Sequence, residues 1–111
     1  MSSVAVAALQ FACTWEREEN VATADRLVRG AARDGANVVL IQELFETPYF
    51  CAAQNPAHFR LARPLAGHPT IEHFQRLAAE IGVVIPVSVF ERAGSAMFNS
   101  VVKVYPTATM L

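Results

Sequence analysis

Apolar residues fall into two alternating patterns along the chain. Val4 to Phe11 is a nearly continuous run of Val, Ala and Leu, which predicts a strand buried on both faces. From residue 16 to 34 the period becomes helical, with Val21, Ala24, Leu27, Val28, Ala31 and Ala32 on one stripe. Thr14 reads as the cap of that helix. Glu16, Glu18 and Glu19 at its start and Arg29 and Arg33 near its end suit the helix dipole, and Gly35 stops it. Asn37 to Gln42 follows as a second strand. The pattern then recurs. Thr70 is expected to cap a helix carrying Ile71, Phe74, Leu77, Ala78 and Ile81 on its inner face. Gly82 ends it, and Val83 to Phe90 is a third strand.

Two helix–glycine–strand units in succession predict an α/β fold with parallel strands joined by crossovers. Pro86 lacks a ladder donor, which calls for an edge position or a bulge in the third strand. Gly94-Ser95 forms a short turn, so Met97 to Tyr105 should return antiparallel as a fourth strand. Residues 44 to 69 make a long connection containing Pro48, Pro56, Pro64, Pro69 and Gly67, with a helical turn expected at Ala57 to Leu61. A connection of that length inside a compact domain is expected to be functional or mobile.

Length and composition narrow the classes. The 111 residues, 53% apolar and 17% charged, suit one small domain with a buried core. A net charge of −1 without a basic stripe argues against nucleic acid or an anionic membrane as partner. The first residues lack the positive region and cleavage site of a secretory signal, and no apolar run approaches membrane-spanning length, so a cytoplasmic location is expected. Cys13 and Cys51 are then expected to remain thiols. His58, His68 and His73 match no zinc spacing, there is no glycine-rich phosphate loop, and neither metal nor cofactor is expected.

The chemistry centres on "VVLIQELFETPYF", residues 38 to 50. Here a buried strand runs straight into a carboxylate, Glu43, followed by Leu44, Phe45, Tyr49 and Phe50. Ligands of parallel sheets bind beyond the carboxyl ends of the strands, which is where Glu43 falls. Apolar and aromatic neighbours would desolvate it, and a carboxylate tuned upward serves as a general base. The residues alone favour the blander reading, a strand-end acid that caps backbone or pairs with an arginine such as Arg60 or Arg63. Glu46 is either a second acid of the same site or a solvated loop residue.

The run "GANVVLIQELFETPYF" resembles the nitrilase superfamily of carbon–nitrogen hydrolases, in which such a strand ends in the catalytic glutamate. Its form from Gln42 to Cys51 is most similar to the N-carbamoylputrescine amidase branch. "VAVAALQFACTWEREENVATADRLV" and "VVIPVSVFERAGSAMFNSVVKV", with Phe98-Asn99-Ser100, resemble flanking parts of the same fold, so the likeness covers nearly all of residues 4 to 105. The resemblance implies the N-terminal portion of an αββα sandwich, a mixed sheet with helices on one outer face, as a single incomplete domain over 1–111. It implies Glu43 as the catalytic acid–base. Tyr49 and Phe50 would line the pocket, and Glu46 would meet a distal ammonium. The partner is a small carbamoylated amine, no cofactor is required, and the full-length family forms homo-oligomers.

The branch hydrolysing carbamoyl-β-amino acids, or a non-catalytic fragment that associates with a full-length homologue, are the alternatives. The family also uses a lysine and a cysteine nucleophile. Lys103, Cys13 and Cys51 match neither motif, so the chain alone is expected to be inactive, and the sandwich's inner sheet surface is expected to lack part of its cover.

Overall fold

The computed structural model describes residues 3–50 and 56–106. The stretch carrying Cys51 lies outside them. Strand β1 (Val6–Ala8) leads into helix α1 (Arg17–Arg33) and strand β2 (Val38–Leu40). A 3₁₀ helix (Pro56–Leu61) falls where the helical turn was expected. Helix α2 (Pro69–Ile81) and the long strands β3 (Ile85–Ala93) and β4 (Ala96–Val104) complete the described chain.

β1 and β2 pair in parallel, with Val6 opposite Val38, as the crossover pattern predicts. β3 and β4 form an antiparallel hairpin in which Ala93 faces Ala96 across the Gly94-Ser95 turn. Gly94 has φ 63, the left-handed conformation that a type II′ turn requires at its first central position. One parallel bridge, Val38 to Val84, joins the two ladders. Val39 N donates to Val84 O at 2.9 Å and Val84 N to Asn37 O at 3.0 Å. The next bond of a parallel ladder would come from the nitrogen of residue 86. That residue is proline, so pairing with β2 stops there while pairing with β4 continues through Pro86 opposite Lys103.

Both helices pack on one face of this mixed sheet, around Val39, Ile41, Phe45, Phe74, Leu77, Ile85, Val87 and Val104. The helix stripes are largely as the periodicity predicts, and α1 buries Val21, Ala24 and Val28. Its end is a Schellman motif: Gly35, with φ 101, donates to Ala32 O, and Ala36 donates to Ala31 O. Asp25 links the helices, accepting from Arg29 Nε and His73 Nε2, both at 2.6 Å. Burial alone would raise the Asp25 pKa. The bonds from Arg29 and His73 outweigh it and hold the carboxyl below its usual range.

Three expectations need correction. β1 is three residues long and exposed rather than buried on both faces, with Val6 at 68% exposure. Among the described residues only its edge toward β2 is paired, and within β1 only Ala7, opposite the buried Val39, turns to the helix side. Thr14 does not cap α1. Glu16 occupies the cap position without a side-chain bond, and the Thr14 hydroxyl accepts from Glu16 N. Nor does Thr70 cap α2. His68 does, its Nδ1 accepting from Thr70 N at 3.2 Å, with Pro69 behind it. Among the described residues the sheet face away from the helices is uncovered at Val6, Leu40 and Val101, which all alternate toward it and are exposed.

Candidate active site

The carboxyl end of β2 runs into a turn over residues 43–46. Within it Leu44 has φ 50, rare for a side chain branched beyond Cβ and costing roughly 1–2 kcal/mol. The left-handed residue parts its neighbours. Leu44 and Phe45 turn inward and are buried, and Glu43 leaves toward the open sheet face.

Glu43 there meets the hairpin: Asn99 Nδ2 donates to Glu43 Oε2. The Leu44 amide donates to Ser88 Oγ at 3.0 Å, and that hydroxyl faces Asn99 Oδ1 at 3.3 Å. The expected aromatic drying of Glu43 is absent, and the side chain is exposed. Phe45 instead contacts Phe74 and Phe11 edge-on at 5.7 and 6.5 Å in the core, and Phe50 packs against His58 and Phe90. Sequence neighbours of Glu43 are thus not its spatial neighbours.

A cavity of about 270 Å³ opens beside this turn. Leu44 and Phe90, the latter opposite Asn99 in the ladder, form the wall nearest Glu43. Phe50 and Glu46 line the cavity as well, whereas Glu43 and Tyr49 do not, and Tyr49 is 55% exposed. The structure therefore joins two of the three expected pocket residues and sets the candidate base at the cavity's shoulder. Trp15 and Phe90 were not anticipated as wall residues. Trp15 stacks on His58 at 5.6 Å, and His58 meets Phe50 at 5.2 Å, so the aromatic lining runs from α1's entrance to β3. Arg17, Arg60 and Arg63 add cationic groups to the lining.

Glu46 is engaged from behind. Its Oε2 accepts from the Thr70 hydroxyl at 2.6 Å, and Arg17 donates to the same hydroxyl at 3.0 Å. His68 Nε2 lies 3.7 Å from Glu46 Oε1. Since His68 Nδ1 accepts from Thr70 N, the neutral ring carries its proton on Nε2, facing the carboxylate. The burial of His68 pushes its pKa down, helped by Arg63 and Arg17 and opposed by Glu46 and Glu72. Its folded value thus lies below the ordinary 6.5, and the unfolded state binds a proton first. Stability contributed by neutral His68 is complete above pH 6.5 and declines as pH falls below it. Urea midpoints are expected to fall between pH 7.5 and 5.5, and to fall less in His68→Asn, which keeps a cap acceptor. Equal declines in both proteins would remove His68 as the cause.

Asn20 fastens the turn to α1. Buried in the first turns of the helix, it accepts from Thr14 N at 2.9 Å and donates to Thr14 O at 2.7 Å and Glu46 O at 2.8 Å. Asn20→Ala strands three backbone groups and is expected to cost about 2–3 kcal/mol by urea denaturation. Faster amide exchange at Thr14 should accompany it. Cys13 is no activated nucleophile: burial pushes its thiol up, against a weaker opposing bond from Gln42. Among the described residues no helix is long and apolar enough to cross a membrane.

With this geometry in hand, comparison with known proteins identifies the class. The family model for carbon–nitrogen hydrolases matches residues 4–110, and the chain belongs to that family. A carbon–nitrogen hydrolase from Helicobacter pylori G27 superposes with a TM-score of 0.85 at 28% identity, over 96% of this chain and 37% of that one. The fold is accordingly part of the αββα sandwich, with both helices on the outer face of one sheet. More particularly, the chain is 62% identical over 98 residues to N-carbamoylputrescine amidase of Solanum tuberosum. It is 56% identical over 98 residues to that of Arabidopsis thaliana. Each match covers 88% of this chain and 33% of the relative, so the chain spans about a third of the length of the curated relatives it matches.

Proposed function

We propose that this chain supplies the general base and part of the substrate wall of a hydrolase that converts N-carbamoylputrescine to putrescine, carbon dioxide and ammonia, a step of polyamine synthesis. The observation that carries the reading is the 56–62% identity to amidases of that name across nearly the whole chain. Glu43 supports it by position, at the carboxyl end of a parallel strand and beside a cavity of small-ligand scale.

In this reading Glu43 accepts the proton of an attacking thiol, returns it to the departing ammonia, and then deprotonates the water that releases the carbamoyl group. The aromatic wall of Trp15, Phe50 and Phe90 takes the putrescine chain, and Glu46 contributes negative charge toward its distal ammonium. The nucleophile and the oxyanion-stabilising cation fall to other parts of such an enzyme. Lys103 stands exposed within β4, and the Cys13 thiol is shifted away from reactivity.

Grafting this chain in place of the matching third of the potato relative tests the reading. The graft is expected to release putrescine from N-carbamoylputrescine, and a folded graft that releases none refutes the proposal. The chain by itself is expected to release no ammonia above a Glu43→Gln control.

A further inference from the structure

We propose that Asn99 and Ser88 are positioning residues for Glu43, and that their bonds leave Glu43 Oε1 as the oxygen that exchanges protons. The significance of this inference rests on the reading of Glu43 as a general base; its geometry does not. Four groups close a circuit. The Leu44 amide donates to Ser88 Oγ, Ser88 is directed at Asn99 Oδ1, and Asn99 Nδ2 donates to Glu43 Oε2. Leu44 follows Glu43 in the chain, so the circuit begins and ends on the same turn.

The direction of each bond follows from what the groups can do. A backbone amide only donates, so Ser88 Oγ receives from Leu44 and has one proton left to give. That proton goes to Asn99 Oδ1, which turns the amide's NH2 toward Glu43. A carboxylate accepts only, so the Asn99 orientation is fixed from both sides. Ser88 is 5% exposed, and its hydroxyl has few other partners to choose from. The register adds rigidity: Asn99 pairs with Phe90 and Ser88 with Val101 on the hairpin, whose strands stay paired through nine residue pairs.

The same circuit explains how Leu44 keeps its costly backbone conformation. Its amide has a buried acceptor in this geometry, and its side chain is 3% exposed. Glu43 Oε2 is occupied by Asn99, and among the described residues Oε1 accepts no hydrogen bond. Oε1 is then the atom that receives the proton of the attacking thiol as its S–H bond breaks, and passes that proton to the departing ammonia. Asn99 touches no reacting atom in this scheme and acts through Glu43.

Side-chain amide resonances of the ¹⁵N-labelled full chain provide the test. The Asn99 NH2 signals are expected to shift with the ionisation of Glu43 and to lose that response in Glu43→Gln. Ser88→Ala is expected to abolish the response and unprotect the Leu44 amide while core methyl signals of Val39 and Val87 stay in place. Ser88→Thr, which restores the hydroxyl, is expected to restore both. Asn99 signals blind to Glu43, or a full response in Ser88→Ala, overturn the inference. Should Ser88→Ala lose its fold, the comparison of wild type with Glu43→Gln decides alone, because Glu43 is exposed and its substitution spares the core.

In the potato graft, Asn99→Ala is expected to lower kcat about a hundredfold with KM little changed. None of the resonance measurements needs turnover. An inactive graft with an intact Asn99 response sinks the hydrolase reading alone, and an active graft without the response sinks the positioning role alone.

Discussion

Glu43→Gln in the potato graft is expected to lower kcat by about 10²–10⁴-fold, the range associated with loss of a general acid–base group. The substitution keeps shape and the reach to Asn99 but removes the capacity to hold and return a proton. Because Glu43 is exposed, its effect on folding should stay within about 0.5 kcal/mol. That combination separates chemistry from structure. A large rate loss with an unchanged urea midpoint supports the base, and an active Glu43→Gln graft refutes it. KM serves as a second readout: uniform binding lost by accident would raise KM and leave kcat, opposite to the expected pattern.

Phe45→Ala is expected to have the largest effect on stability. Phe45 is fully buried, with edge contacts to Phe11 from the segment after β1 and to Phe74 of α2. It is the one aromatic of the turn that reaches the core. Truncation leaves a cavity between elements that are themselves fixed, and comparable changes cost about 3–5 kcal/mol. Against the roughly 5–15 kcal/mol of a typical domain, this is a large share. The urea midpoint of the chain should fall accordingly, while Tyr49→Ala, at a position 55% exposed, should hardly move it. Equal effects at the two positions would contradict the inward turn at Leu44.

The regions where sequence and structure agree share a physical trait: their signals are local. The α2 stripe, the Gly82 stop, with φ 72, and the Gly94-Ser95 turn each depend on a few adjacent residues. The β1 expectation failed because an apolar run states that a segment tolerates burial, not that something covers it. Glu43's surroundings were misjudged for a related reason. Adjacency to Phe45 and Phe50 carries no direction, and one left-handed residue sent the acid and the aromatics to opposite sides. The cavity joins Trp15 and Arg17, residues between Leu44 and Phe50, the end of the 3₁₀ helix with Arg63, and Phe90. No spacing in the sequence brings those together. The pairing of Asn99 with Glu43 spans 56 positions, and no local signal in the sequence announces it.

Pro86 moves the joining of the two ladders from backbone to side chains. Among the described residues β2 and β3 share ladder bonds only around Val38 and Val84, and beyond them Asp25 with His73, Phe45 with Phe74 and the Leu44 amide with Ser88 hold the first half of the molecule to the second. The spacing between the acid and its amide partner is therefore set by side-chain packing rather than by a continuous ladder.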